Sequence, residues 1–309
     1  MRRIKIGSRK SELALWQTNE VAAMLNTHGI ATEIVKIETT GDKILNTPIS
    51  KIGSKGVFTE EIEAMLKNGD IDIAVHSAKD MPSTLPRGFQ LIAFTNREEP
   101  NDVLVSLDAT LSLKNTDKQV VIGTSSVRRI ALLKHYYPHV KTVNIRGNLQ
   151  TRLKKMESGE CDALMLAYAG VKRMGMDHLI VKKLPLDEFV PPVGQGSIAI
   201  EIYDDADDAL KKIIRDCVNH EPTEAILKAE RAYLKELQGG CSIPAFAWAK
   251  IENDTLHLTA GLISLDGVTL LKANRTGEPS SAEQMGTALG THILETGGRE
   301  ILNTIHDSK

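Results

Sequence analysis

As far as about residue 216 the sequence alternates short apolar runs with stretches whose apolar residues recur at helical spacing. That alternation restricts the chain to β-α units wound around mostly parallel sheets. The run Ile4 to Ile6 opens the series as a strand. A helix begins near Ser11, carries Leu13, Leu15, Val21 and Leu25 on one face, and ends at Gly29. Strands at 33–37 and 71–75 enclose a helix at 59–67, and the latter strand runs into His76-Ser77-Ala78-Lys79-Asp80. After the polar, proline-closed segment 96–101 the pattern restarts, with strands at 103–105, 120–122, 140–145 and 163–166 and helices at 127–137 and 148–157. Pro191-Pro192 marks a second crossing, after which a strand at 197–202 and a helix at 204–217 return to complete the first lobe. Two crossings between two α/β lobes predict a hinged cleft. From about His220 the grammar changes: a helix at 223–237, β-like segments with Asp266-Gly267 at a hairpin turn, and a helix near 282–294 predict a small α+β domain. The expected division is 1–96 with 197–216, then 97–196, then 217–309, which suits a chain of 309 residues.

Composition narrows the class of function. With 41% hydrophobic and 25% charged residues the chain reads as an ordinary globular protein rather than a disordered or disulfide-stapled one. Aromatic residues at 4% are too few for a platform that stacks single-stranded bases. No apolar run approaches a membrane span, and charges interrupt the amino-terminal MRRIKIGSRK, so a cytoplasmic protein with no membrane or nucleic-acid partner is expected. Cys161, Cys217 and Cys241 are widely spaced with no C-x-x-C, and Pro138 breaks the His135/His139 spacing, so no metal site is expected.

Charge placement says more than charge balance. From Lys118 to Met156 there is no Asp or Glu but nine Lys and Arg. The other 29 basic and 40 acidic residues leave the remainder at −11 against +9 here. Such a block predicts a local anion site. Lys134, Lys141, Lys154 and Lys155 read as solvated helix faces. The arginines fall elsewhere: Gly123-Thr124-Ser125-Ser126-Val127-Arg128-Arg129 joins a strand to a helix, and Arg146-Gly147-Asn148 with Arg152 repeats the arrangement at the next junction. Free N–H groups and hydroxyls at a helix start favour an anion there, and guanidinium forks suit carboxylates or phosphates. Cations at that end oppose the helix dipole, so a compensating anion is expected; inter-lobe salt bridges with the acidic remainder of the chain are the alternative to a ligand.

Other motifs carry weaker signals. Gly194-Gln195-Gly196-Ser197-Ile198-Ala199 matches G-x-G-x-x-A, but prolines precede it and a β-like run follows, so it reads as a tight connection rather than a dinucleotide loop. The segment from Lys51 to Gly56 lacks the spacing of a phosphate-binding loop and reads as a basic loop, including Lys55, that could serve as a lid. Asp80, at a strand end, is either a turn former, an ion-pair partner or an acid facing the basic cleft. Cys241 sits among Gly239, Gly240, Ser242 and Pro244 and has the surroundings of an accessible thiol, whereas the other two cysteines read as packing residues.

The segments GSRKSELALWQ, KIGSKGVFTEEIE, DIAVHSAKDMP, GTSSVRR, NIRGNLQTRL, PPVGQGSIAIE and LQGGCSIP occur in this order across essentially the whole chain. In this they resemble the porphobilinogen deaminase family, also called hydroxymethylbilane synthases. The resemblance implies two periplasmic-binding-protein-like lobes and a third domain whose loop cysteine carries a covalent dipyrromethane through a thioether. It implies a transferase of porphyrin and heme biosynthesis, joining four porphobilinogens head to tail with loss of ammonia, acting as a monomer on growing linear oligopyrroles. Carried over by position, Cys241 is the attachment residue and Asp80 the catalytic carboxylate. Lys79, Thr124, Ser125, Ser126, Arg128, Arg129 and Arg146 would hold the cofactor. Arg9, Ser11, Arg152 and Gln195 would hold substrate, with Lys51 and Lys55 on a mobile loop. Each pyrrole brings two carboxylates, so a growing chain needs many cation donors. A carboxylate near the pyrrole nitrogen would stabilise the cation left when ammonia departs. A solute-binding protein would share the lobes and arginines but have no use for Cys241, and a nucleic-acid binder would turn the same block on phosphates.

Overall fold

The computed structural model describes residues 3–40, 59–116, 118–240 and 243–307, so Lys51, Lys55 and Cys241 lie outside the described residues. Contacts divide the chain into two units, one of Met1–Glu98 with Gly196–Ala225 and one of Glu99–Gln195 with Ile226–Lys309. Thirteen strands among the described residues are numbered in chain order.

In the first unit β1 (Ile4–Arg9), β2 (Thr32–Ile37), β3 (Ile73–Ser77), β4 (Phe89–Phe94) and β10 (Ile198–Tyr203) form one sheet in the order β2-β1-β3-β10-β4. β1 runs parallel to β2 and β3, whereas β10 is antiparallel to both β3 and β4. The sheet is mixed because β10 arrives from the far side of the sequence. Helix Glu12–Thr27 covers one face through Val21 and Leu25, which pack with Ile4, Ile6, Ile73 and Ile200. Its start is fixed by Ser11, whose Oγ accepts from Ala14 N at 3.3 Å, and its end by Gly29 at φ 76°.

In the second unit β5 (Asp102–Val105), β6 (Val121–Gly123), β7 (Lys141–Val143), β8 (Ala163–Ala167) and β9 (Ile180–Lys183) repeat the plan in the order β7-β6-β8-β5-β9. Here β6 is parallel to β7 and β8, and β5, which enters from the first crossing, is antiparallel to β8 and β9. The three-stranded sheet of β11 (Ala245–Glu252), β12 (Thr255–Ile263) and β13 (Leu270–Gly277) shares a core with it, Phe246 and Ile263 packing with Leu104, Ile122, Leu132 and Phe189. That shared core is why the carboxy-terminal segment groups with residues 99–195.

Residues 217–225 group with the first unit rather than with the carboxy-terminal segment. The cause is a polar clamp onto β4: Asn219 Oδ1 accepts from Phe94 N at 3.0 Å, His220 N donates to Phe94 O at 2.8 Å, and Glu224 pairs with Arg215 at 2.8 Å. Among the described residues no helix is long and apolar enough to cross a membrane.

Candidate active site

In the first unit the sequence-predicted residues gather at the carboxyl ends of two neighbouring parallel strands. β1 lies between β2 and β3, so the connection leaving it and the later return to β3 go to opposite sides; the carboxyl end of such a strand is where open α/β sheets bind ligands. Arg9 is the last residue of β1, and Ser11 caps the helix that follows. β3 ends in a single 3-10 turn, Ala78–Asp80, which brings Lys79 and Asp80 to the same edge. Asp80 is exposed, and no hydrogen bond or ion pair within the described residues engages its carboxylate.

The strand bearing this turn is anchored from within. Ser77 and Gln17 exchange hydrogen bonds at 3.0 and 3.1 Å, tying the strand end to helix Glu12–Thr27. His76 Nε2 lies 2.9 Å from Glu201 Oε2 on β10, both side chains buried. Glu63 is buried in the same unit, and burial pushes its carboxyl up, helped by the charge of Glu201 and opposed by a hydrogen bond from Thr59.

In the second unit β6 occupies the equivalent place between β7 and β8. Thr124 N donates to Val143 O at 2.9 Å, Ser126 N donates to Thr124 Oγ1 at 3.3 Å, and Ser126 Oγ caps the next helix by accepting from Arg129 N at 3.5 Å. Ser125 and Ser126 remain half-exposed. At the neighbouring junction Asn148 Oδ1 accepts from Thr151 N at 2.9 Å, and Arg152 Nε donates to Gly147 O at 2.8 Å. Gly147 has φ 116°, and a Cβ there would lie 2.6 Å from Thr151 Cγ2, so glycine is required. Arg146 is half-buried beside it. The two junctions therefore share one sheet edge, as their sequence spacing predicts.

Arg128 and Arg129 are engaged within the protein. Neither guanidinium is an exposed fork, and the anion that compensates them is Asp102. Arg128 Nη2 donates to Asp102 Oδ2 at 2.6 Å, while Arg129 donates to Oδ1 through Nε at 3.1 Å and Nη2 at 2.7 Å. Two carbonyls take further donors, Val190 O from Arg128 at 2.9 Å and Met165 O from Arg129 at 2.7 Å. Because β5 is antiparallel to β8, its first residue, Asp102, stands at the edge where β8 ends, in register with Ala167. Burial alone would push the Asp102 carboxyl up, but Arg128 and Arg129 outweigh it and hold the carboxyl far below the usual range. Gln195 is fully buried and joins this network, with Nε2 on Asp102 Oδ1 at 3.0 Å and on Pro100 O at 2.7 Å.

This network retains capacity for an anion. Two guanidiniums face one carboxylate, and Arg128 Nε is buried without a hydrogen-bond partner among the described residues. A carboxylate-bearing group fits that surplus beside the half-exposed Ser125 and Ser126 at the helix start.

The described residues on either side of Cys241 are tied by backbone bonds. Gln238 has φ 49°, Gly239 N donates to Leu234 O at 3.0 Å, and Ile243 N donates to Gly240 O at 3.3 Å. Cys161 is buried, and burial pushes its thiol up; Cys217 packs against the first core with its thiol likewise raised by burial. Sequence reasoning missed Glu230. Fully buried on helix Glu221–Glu236, it accepts from Gly194 N and Ala249 N, each at 2.8 Å. The G-x-G connection is a close approach, since a Cβ on Gly196 would sit 2.3 Å from Glu98 O.

Comparison with known proteins supplies the context. Residues 4–211 match the family profile described as "Porphobilinogen deaminase, dipyromethane cofactor binding domain", and residues 225–295 the one described as "Porphobilinogen deaminase, C-terminal domain". A protein named porphobilinogen deaminase from Desulfosudis oleivorans is 58% identical over 302 residues, covering 98% of this chain and 97% of the relative. One of the same name from Cytophaga hutchinsonii is 52% identical over 303 residues, covering 98% and 96%. Among solved structures, the BvgS periplasmic VFT2 domain of Bordetella pertussis aligns at 16% identity and a TM-score of 0.43, covering 69% of this chain and 86% of that domain. The second substrate binding domain of a putative amino acid ABC transporter from Streptococcus pneumoniae aligns at 13% and 0.44, covering 70% and 91%.

Proposed function

This chain belongs to the porphobilinogen deaminase family, and from that membership we propose that it joins four porphobilinogen molecules into linear hydroxymethylbilane with release of ammonia. A dipyrromethane bound through Cys241 supplies the primer to which the pyrroles are added. The observation that carries this reading is the surplus of guanidinium over carboxylate at the turn after β6, where a ligand rich in carboxylates finds both charge and neutral donors.

The roles follow from position. Thr124, Ser125, Ser126 and Arg146 hold the cofactor carboxylates at the second unit's edge, with Arg128 and Arg129 supplying positive charge from within, and Lys79 adds a cation at the first unit's edge. Arg9, Ser11 and Arg152 hold the acetate and propionate groups of incoming substrate. Asp80, exposed and unengaged within the described residues, offers a negative charge where a cation develops as ammonia leaves. The same carboxylate is suited to accept or return a proton. We infer that the protein acts as a monomer in the cytoplasm, as the family resemblance implies.

Incubation with porphobilinogen tests the proposal. Ammonia release should accompany stepwise increases in intact mass by one pyrrole unit, starting from a dipyrromethane adduct that survives reducing agents. A chain that binds porphobilinogen without releasing ammonia or gaining mass would be a binding protein instead.

A further inference from the structure

Asp102 has no motif of its own in the sequence, yet it is the centre of the second unit's polar network. Its two oxygens accept from Arg128, from Arg129 through two nitrogens, and from Gln195. It is fully buried, and the arginines on either side of it are 3% and 6% exposed. Buried guanidiniums without a partner would repel one another and carry a large desolvation cost. With one carboxylate between them, two cations and one anion leave a single net positive charge. Each fork is turned by its bond to Asp102, which leaves Arg128 Nε without a partner among the described residues. The backbone also converges here: Val190 O accepts from Arg128 and Pro100 O from Gln195, so both segments flanking the crossings are tied to the same carboxylate.

We propose that Asp102 is a positioning residue for carboxylate binding at the turn after β6: it orients both guanidiniums and cancels one of their charges, leaving one for a ligand carboxylate. This rests on the reading that Thr124–Ser126 and Arg146 receive such a group. Without Asp102 the forks rotate toward other acceptors, and the ligand loses at least one charge-assisted hydrogen bond.

The test uses the full chain produced without porphobilinogen, then supplied with it, and follows the gain of dipyrromethane mass. The readout is the porphobilinogen concentration giving half the maximal rate of gain, which does not depend on the fraction of protein that is folded. A purely structural Asp102 would change the folded fraction alone. Asp102→Asn should raise the half-saturating concentration by roughly ten- to a hundredfold, the value of one charge-assisted hydrogen bond. Asp102→Glu, which keeps the charge, should raise it less. An unchanged value in Asp102→Asn overturns the inference. If that variant yields no folded protein, Asp102→Glu decides: an unchanged value overturns the proposal and a raised one supports it. Arg146→Leu separates the two levels. If it raises the value while the Asp102 variants do not, only the positioning role fails; if neither changes it, the carboxylate site at this turn fails as well.

Discussion

Glu230 allows a cost to be worked out bond by bond. Its carboxylate is fully buried and receives the N–H of Gly194, beside the network glutamine, and the N–H of Ala249 on β11. Among the described residues β11 pairs with β12 only, so its other edge would leave donors unmet in the interior; Ala247 N on Pro191 O at 3.1 Å and Ala249 N on Glu230 close that edge. Glu230→Gln keeps the shape but turns one acceptor into an NH2 group facing a donor. One buried N–H is orphaned, costing about 1–3 kcal/mol, and the surviving bond drops from charge-assisted to neutral, costing about 1 kcal/mol more. The sum of about 2–4 kcal/mol should lower the urea midpoint by roughly 0.7 to 2 M for a slope of about 2–3 kcal/mol/M. Glu230→Ala orphans both donors and should fall further. Urea unfolding followed by circular dichroism measures this, with Glu252→Gln as control, since Glu252 is exposed and pairs only with the nearby Lys250 within the described residues. A Glu230→Gln midpoint equal to that of the control would refute the assignment of two buried acceptor bonds.

Three further outcomes are expected. Asp80→Asn should fold and carry its dipyrromethane, yet add each pyrrole roughly a hundred- to a thousandfold more slowly, as rapid mixing with porphobilinogen and intact mass would reveal. Cys241→Ala should lose the covalent adduct, while Cys161→Ala and Cys217→Ala keep it; an adduct of unchanged mass in Cys241→Ala would move the attachment elsewhere. Glu63→Gln should stabilise the protein at neutral pH. Burial raises the folded-state pKa of Glu63, so the stability held below the ordinary value of 4.5 is lost as pH rises through the raised one. The amide variant escapes that loss, so its advantage in urea should vanish below pH 4.5, and an advantage independent of pH would count against the burial cause.

What was legible in the sequence was local. Ser11, Ser126 and Asn148 announce helix starts by their side-chain oxygens, and each caps the helix expected of it. The apolar runs of β3, β6 and β8 stand out because both faces are covered. β4 and β9 escaped notice: β4 buries only Ile92, Ala93 and Phe94, and β9 buries none of its residues. Helix Asp208–Val218 starts later than its periodicity implies because Asp207 Oδ1 caps it by accepting from Ala209 N at 2.9 Å. The acid-free block from 118 to 156 pointed to an anion, but its counter-charge comes from residue 102, outside the block. Nothing in the spacing reveals that β5 enters antiparallel and delivers Asp102 to the arginines. Glu230 was hidden for the same reason, since its partners, Gly194 and Ala249, come from other parts of the chain.

The insertion of β10 between β3 and β4 also sets an order of events during synthesis. Every strand of the second unit's five-stranded sheet has been made by residue 183, whereas the first sheet needs Ala199 beside His76 on one side and Phe94 on the other. The first four strands therefore leave the ribosome with a slot between β3 and β4. At about 5–20 residues per second that slot stays open for roughly 5 to 20 s while the next hundred or so residues are added. The later-made sheet can thus close first, and the older one waits with two inner edges able to capture a strand from another nascent chain. A chaperone that shields β3 and β4 over this interval would raise the yield of active protein without touching the finished fold.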